Sequence, residues 1–120
     1  MTFNELGLKD EILRAIQELG YENAMPIQER SIPFMMNETK DLVALAQTGT
    51  GKTAAFGLPI LNLLDTQKRE TQALILAPTR ELCIQIANDL KNYSKYMKGM
   101  KVVPVYGGEN IITQLRQLDT

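Results

Sequence analysis

The run Leu42-Val43-Ala44-Leu45-Ala46-Gln47-Thr48-Gly49-Thr50-Gly51-Lys52-Thr53 begins as unbroken apolar chain and ends as a glycine-punctuated Lys-Thr pair. Its apolar part shows no alternation, the pattern of a strand covered on both faces by helices. Its polar part then leads straight into helical spacing. Strand, glycine-rich loop and helix in that order form the context of a phosphate-binding loop. Gly49 and Gly51 permit backbone angles that side chains forbid, so successive N–H groups can converge on phosphate oxygens at a helix N-terminus that already favours anions. Lys52 would neutralise the β and γ phosphates, and the Thr53 hydroxyl would ligate Mg2+. The general pattern has Gly where this chain has Ala46, which is small enough to serve. A glycine turn followed by an exposed lysine is the plainer alternative, but it leaves Gly-Lys-Thr at the helix start without a reason.

Outward from this loop the chain alternates. Upstream, Leu8, Ile12, Leu13, Ile16 and Leu19 recur at three- and four-residue steps before Gly20, which predicts an amphipathic helix. A second helix opens at Pro26, where a missing N–H costs nothing, and is expected to be disturbed or to end near Pro33. Met35 and Met36 read as core filler. Downstream, a helix is expected from Lys52 to about Leu64 with Pro59 as a kink. Ala73-Leu74-Ile75-Leu76-Ala77 repeats the strand pattern, and a longer helix follows from about Thr79 to Tyr96. Lys101 to Tyr106 looks like a third strand, placed at an edge because Pro104 cannot donate to a ladder. Gly107-Gly108 breaks it, and Ile111 to Leu118 has helical spacing. The fold class expected is α/β with a parallel sheet flanked by helices.

At 120 residues and 44% hydrophobic, the chain has material for one core. No stretch approaches the ~20 apolar residues that span a bilayer, so no membrane partner and a cytoplasmic location are expected. Cys83 is the single cysteine and there is no histidine. An intrachain disulfide, a zinc site and imidazole chemistry are thereby excluded within these residues, and Cys83 reads as a small helix filler. The net charge of −1 argues against bulk electrostatic attraction to nucleic acid, so any such contact must be local. Lys91, Lys95, Lys98 and Lys101 form the nearest thing to a basic patch. A solvated helix face and a phosphate-binding face both fit it.

A phosphate loop alone suits a nucleotide kinase, a GTPase, a motor or a helicase, so the flanks discriminate. Gly20-Tyr21-Glu22-Asn23-Ala24-Met25-Pro26-Ile27-Gln28 resembles the Q motif of DEAD-box RNA helicases, and Phe3 stands seventeen residues before Gly20, where that family carries an isolated aromatic. Pro78-Thr79-Arg80-Glu81-Leu82 resembles the family's motif Ia and Gly107-Gly108 its double glycine. The loop matches the helicase form Ala-x-x-Gly-x-Gly-Lys-Thr. The resemblance runs from Phe3 to the chain end, with Ala24 and Met25 where the family more often has Pro and Thr. That departure removes one side-chain hydrogen bond expected between the Q motif and the loop.

The resemblance implies a RecA-like phosphate-loop domain, incomplete in this chain: residues 1–31 as a helical Q-motif region and 32–120 as the N-terminal portion of the ATP-binding domain. ATP and Mg2+ are the implied cofactors. Tyr21, Asn23, Gln28, Gln47, Thr48, Gly49, Thr50, Gly51, Lys52 and Thr53 are the implied nucleotide-binding residues, with Lys52 and Thr53 catalytic and Thr53 the metal ligand. A glutamine amide pairs one donor and one acceptor, matching the N7 and N6 edge of adenine but not that of guanine. Tyr21 would stack on the base and Phe3 brace the segment. In isolation Gln28 would read as an exposed helix glutamine. RNA-binding residues are implied at Pro78, Thr79, Arg80, Gly107 and Gly108, through backbone phosphates and without sequence preference. Arg80 could instead satisfy Glu81, and the glycines could simply turn the chain. In the family, strands from further along the chain lie between the strand before the loop and the motif Ia strand. Those strands and a second RecA-like domain are therefore required partners, supplied by the same or another chain. The acid motif Asp-Glu-Ala-Asp is absent from the 120 residues. A non-catalytic nucleotide-binding fragment is the main alternative function. A nucleotide kinase leaves Gln28, Tyr21 and Pro78 to Leu82 unexplained.

Overall fold

Apolar periodicity places five helices in a computed structural model of the chain, which describes residues 1–46, 51–108 and 111–119. After a 3-10 turn at Phe3–Leu6 come α1 (Asp10–Glu18), α2 (Pro26–Asn37), α3 (Lys52–Leu63), α4 (Arg80–Tyr93) and α5 (Ile111–Asp119). In α1, Ile12 and Ile16 are wholly buried while Leu19, at its C-cap, is 44% exposed. α2 starts on Pro26 as expected but runs through Pro33 to Asn37. The ring of Pro33 costs one backbone hydrogen bond, and packing outweighs that loss: Ile32 is fully buried and Met36 packs on the core. Pro59, itself fully buried beside Leu58, is likewise tolerated inside α3.

α4 is shorter than expected at both ends. Thr79 is its N-cap, its Oγ1 accepting from the Leu82 N–H at 3.1 Å. Ser94 is its C-cap, where both the backbone N–H, at 3.0 Å, and the hydroxyl, at 2.7 Å, donate to the Leu90 carbonyl. The core gathers Phe3, Leu6 and Leu8 with Ile12, Ile16, Ile32, Leu58, Leu61, Ile86, Leu90 and Tyr93. α2 and α3 pack most extensively, and α4 closes over α3 and α1. Where α3 meets α4 the approach is close enough that a Cβ on Gly57 would lie 2.7 Å from Leu90 Cδ2.

The expected parallel sheet does not form among the described residues. Residues 42–46, 73–77 and 101–106 carry no strand ladder, and the one bridge among the described residues joins Thr2 to Asn23. The three runs follow the periphery instead. Ile75 and Ala77 pack on the core, while Leu74 and Leu76 are 81% and 85% exposed and Val43 and Leu45 88% and 92%. The second run thus turns one face to the helices, while Leu42 to Leu45 of the first are all exposed, whereas the sequence pattern asks for cover on both faces. The third run is held differently: Gln114 of α5, buried, accepts from the Tyr106 N–H at 3.1 Å and donates to the Tyr106 carbonyl at 3.0 Å, taking the place of a neighbouring strand.

Candidate functional site

α3 begins at Gly51, whose φ of +81° is left-handed and suits glycine. Lys52 and Thr53 therefore open the helix, where the first N–H groups have no intrahelical partner and the dipole favours anions. Lys52 is exposed, Thr53 half-buried, and no carboxylate lies within ion-pair distance of Lys52 among the described residues. Gln47, Thr48, Gly49 and Thr50 lie outside the described residues. A cleft of about 390 Å3 borders the helix start, lined by Lys52, Phe56, Ile27, Met35 and Lys40.

Gln28, in the first turn of α2, is buried to 3% exposure and points at the loop. Its Oε1 accepts from the Met25 N–H at 2.8 Å and its Nε2 donates to the Gly51 carbonyl at 3.1 Å. Met25 can neither cap α2 nor bond the loop through its own side chain, and Gln28 performs both tasks. An amide has two hydrogens and two lone pairs, so one of each remains beyond these bonds. The plainer reading of Gln28 as an exposed helix residue is overturned by its burial.

The same contact tightens the requirement for glycine at position 51, where a Cβ would fall well inside van der Waals contact with Gln28 Nε2. Gly20 has a matching φ of +83° with nothing within 4 Å of its Cβ position. Gly20→Ala is expected to cost about 1 to 2 kcal/mol of backbone strain alone. Gly51→Ala adds a buried clash of about 1 to 3 kcal/mol. Thermal melts of both variants in the full-length gene product measure the difference, and equal midpoints would show that the Gln28 contact does not constrain the loop.

Tyr21 is half-buried. Phe3 stacks on it with ring centroids 5.9 Å apart and planes 29° apart, so Phe3, 4% exposed, braces the segment. Met1 to Phe3 also pair with Glu22 to Ala24 through backbone bonds, including Ala24 N–H to the Met1 carbonyl at 2.9 Å. Asn23 is exposed and contributes backbone to that pairing.

Further along the chain, Thr79 and Arg80 open α4 beside the Gly107-Gly108 turn. Gly108 has φ +91°, and a Cβ there would lie 2.8 Å from Arg80 Nη1. Arg80 Nη2 reaches Glu81 at only 3.8 Å, with both side chains mostly exposed, a pairing worth little in water. Pro78, Thr79, Arg80, Gly107 and Gly108 are all exposed. The structure thus brings two separate motifs to one exposed helix N-terminus.

The remaining candidates resolve into structural parts. Cys83 is half-buried, its thiol 3.8 Å from the Val105 carbonyl. Lys95 pairs with Glu18 at 3.0 Å, and the Tyr96 hydroxyl donates to the same carboxylate, which these bonds hold below its ordinary pKa. Arg14 lies 4.1 Å over the Tyr96 ring. The side chain of Lys101 donates to the Gln117 carbonyl. Lys95 and Lys101 are therefore held within the fold, and the patch reduces to Lys91 and Lys98. No group of three acidic, histidine or cysteine side chains able to hold a metal occurs among the described residues, and none of their helices is long and apolar enough to cross a membrane.

A family model for the DEAD/DEAH box helicases matches residues 25–120. The DEAD-box ATP-dependent RNA helicase CshA of Bacillus cereus is 48% identical over 117 residues, covering 98% of this chain and 22% of that protein. The ATP-dependent RNA helicase DeaD of Escherichia coli is 50% identical over 117 residues, covering 98% and 18%. The chain therefore spans about a fifth of the length of these relatives. Among solved structures, a DEAD box protein from the hyperthermophile Methanococcus jannaschii superposes with a TM-score of 0.92 at 42% identity, over 98% of this chain and 32% of that one. Dbp5 of S. cerevisiae, bound to RNA and ADP BeF3, gives 0.78 at 38% identity over 81% and 25%. With its family model matched over most of its length and its backbone following a solved member almost throughout, the chain belongs to the DEAD/DEAH box helicase family.

Proposed function

We propose that the chain is the nucleotide-binding opening of a cytoplasmic ATP-dependent RNA helicase, which couples ATP binding and hydrolysis to local separation of RNA strands. The observation that carries this reading is the buried Gln28 amide bonded to the Gly51 carbonyl, which ties the adenine-reading segment to the start of the phosphate-loop helix. Residues 1–31 form the base-reading region and 32–120 the start of a RecA-like domain. Its parallel sheet is completed by strands outside these 120 residues, and a second RecA-like domain closes over the nucleotide.

Lys52 would hold the β and γ phosphates and Gln47 to Gly51 would wrap them. Tyr21 would stack on adenine, and the amide hydrogen and lone pair left on Gln28 would read its edge. The donor set fits a Mg2+ carried mainly by nucleotide phosphates and water: Thr53 offers one hydroxyl, and the described residues add no carboxylate cluster. Such an ion would supply charge neutralisation at the transferred phosphoryl group. Arg80, with Pro78, Thr79 and the Gly107-Gly108 turn, would hold RNA phosphates, which supports binding without sequence preference.

Nucleotide choice tests the reading. Gln28→Ala in the full-length gene product is expected to weaken ATP binding about tenfold or more, and GTP binding less. Loss of the tie to Gly51 falls on both nucleotides, but loss of base pairing falls on adenine alone. Calorimetric titration of both nucleotides measures this, and equal ATP and GTP affinities in the unmutated protein would sink the assignment.

A further inference from the structure

Tyr93, the last residue of α4, is 3% exposed, and its hydroxyl lies 3.2 Å from that of Tyr21, 72 residues earlier in the chain. The two rings are 6.0 Å apart and tilted by 60°, so they meet through their polar ends and edges. Burial, then the bond to Tyr21, raises the Tyr93 phenol far above its ordinary range, and it stays protonated at any pH at which the protein works. Tyr93 also faces α3: the space a Gly57 side chain would fill lies 4.0 Å from the Tyr93 ring, beside Leu90. Tyr21 is thereby fixed on two sides, by Phe3 against its ring and by Tyr93 at its hydroxyl, while remaining half-buried.

We infer that Tyr93 is a positioning residue for the nucleobase, its hydroxyl holding the Tyr21 ring in a stacking orientation referenced to α3, the helix that starts at the phosphate loop. The inference rests on the proposed adenine role of Tyr21. A phenylalanine at position 21 would have no such handle, so the device depends on tyrosine at both positions. A stacking ring free to rotate must lose that freedom when the base arrives, whereas a ring already held has less to lose.

Tyr93→Phe removes the hydroxyl and keeps the packing, leaving the half-buried Tyr21 hydroxyl free to bond water. In the full-length gene product, ATP affinity is expected to fall about three- to tenfold. Affinity for inorganic tripolyphosphate, which has no base, should not change. For ATP hydrolysis KM should rise with kcat unaltered at saturation. Tyr21→Phe breaks the same bond from the other side, and the double variant should lose no more than either single one. A Tyr93→Phe protein with unchanged ATP affinity, beside a Tyr21→Ala protein with weakened affinity, overturns the inference and leaves the adenine site standing. Equal loss for ATP and tripolyphosphate also overturns it, since Tyr93 would then serve the fold alone. Unchanged ATP affinity in Tyr21→Ala overturns both the inference and the base-stacking reading beneath it.

Discussion

The 120-residue polypeptide, supplied with ATP, Mg2+ and single-stranded RNA, is expected to release no RNA-stimulated phosphate, even though Lys52 and Thr53 stand at the head of α3. Phosphoryl transfer asks little covalent chemistry of a protein; it asks for positioning of the attacking water and for charge stabilisation as the γ-phosphoryl group leaves. Within these residues the charge on the triphosphate would be met by Lys52 and the loop N–H groups, which hold the phosphates but do not orient an attacking water. The groups that discriminate are missing from the sequence: the Asp-Glu-Ala-Asp carboxylates implied by the family, and an arginine finger from a second domain. The finger alone is worth about 10³ to 10⁵ in rate. A phosphate-release assay on the isolated chain measures this directly. Turnover that survives repeated purification, is stimulated by RNA and disappears in Lys52→Ala would show that the chemistry has been assigned to the wrong residues.

Helices were legible because their causes are local. Ile12 and Ile16 at helical spacing, Pro26 at a first turn and Thr79 before a helical run each act within a few residues, and α1, α2 and α4 start close to where those signals lie. Their ends were less legible. Nothing local reveals that α2 continues past Pro33, since the compensation is Ile32 and Met36 packing on other elements. α4 ends at Tyr93, short of the expected Tyr96, with no glycine or proline there to mark it.

The candidate site divides in the same way. A phosphate loop is contiguous, so Gly51-Lys52-Thr53 could be read from its own spacing. The link from Gln28 to Gly51 spans 23 residues, and only the docking of α2 on α3 reveals that one amide both caps a helix and holds the loop. Tyr93 carries no functional mark in the sequence, because an aromatic at a helix end signals packing. A hint existed in Leu90 and Tyr93, three residues apart on one face of α4, but their partner Gly57 lies on another helix. Arg80 and Gly108 met for the same non-local reason: the third apolar run returns beside the start of α4.

The three apolar runs carry the remaining disagreement with the sequence pattern, and they set the expected behaviour of the isolated chain. The peptide groups of residues 42–46 and 73–77 find no backbone partner among the described residues and are left to solvent, so the cost lies in the side chains left outside. Val43, Leu45, Leu74 and Leu76 are each more than four-fifths exposed. Burying such a side chain is worth about 1.5 to 3 kcal/mol, so the four together forgo roughly 6 to 12 kcal/mol. That equals the ~5 to 15 kcal/mol that holds a whole domain together. The helical core around Ile12, Ile16, Ile32 and Leu58 is closed, yet the layer beside it is half built. The runs 42–46 and 73–77, with exposed apolar side chains and no strand ladder among the described residues, also invite association with other chains. In hydrogen exchange on the monomeric 120-residue chain, the amides of Val43, Leu45, Leu74 and Leu76 are therefore expected to exchange at nearly the rate of unfolded peptide. In the full-length gene product, where neighbouring strands would accept from them, the same amides should be slowed by several orders of magnitude, toward the limit set by global unfolding. Sedimentation at the labelling concentration must accompany the measurement, because strand pairing between copies would protect the same amides. Strong protection at Val43 and Ile75 in a chain proven monomeric would mean that the two runs find partners within these residues, and the need for strands from beyond them would fall.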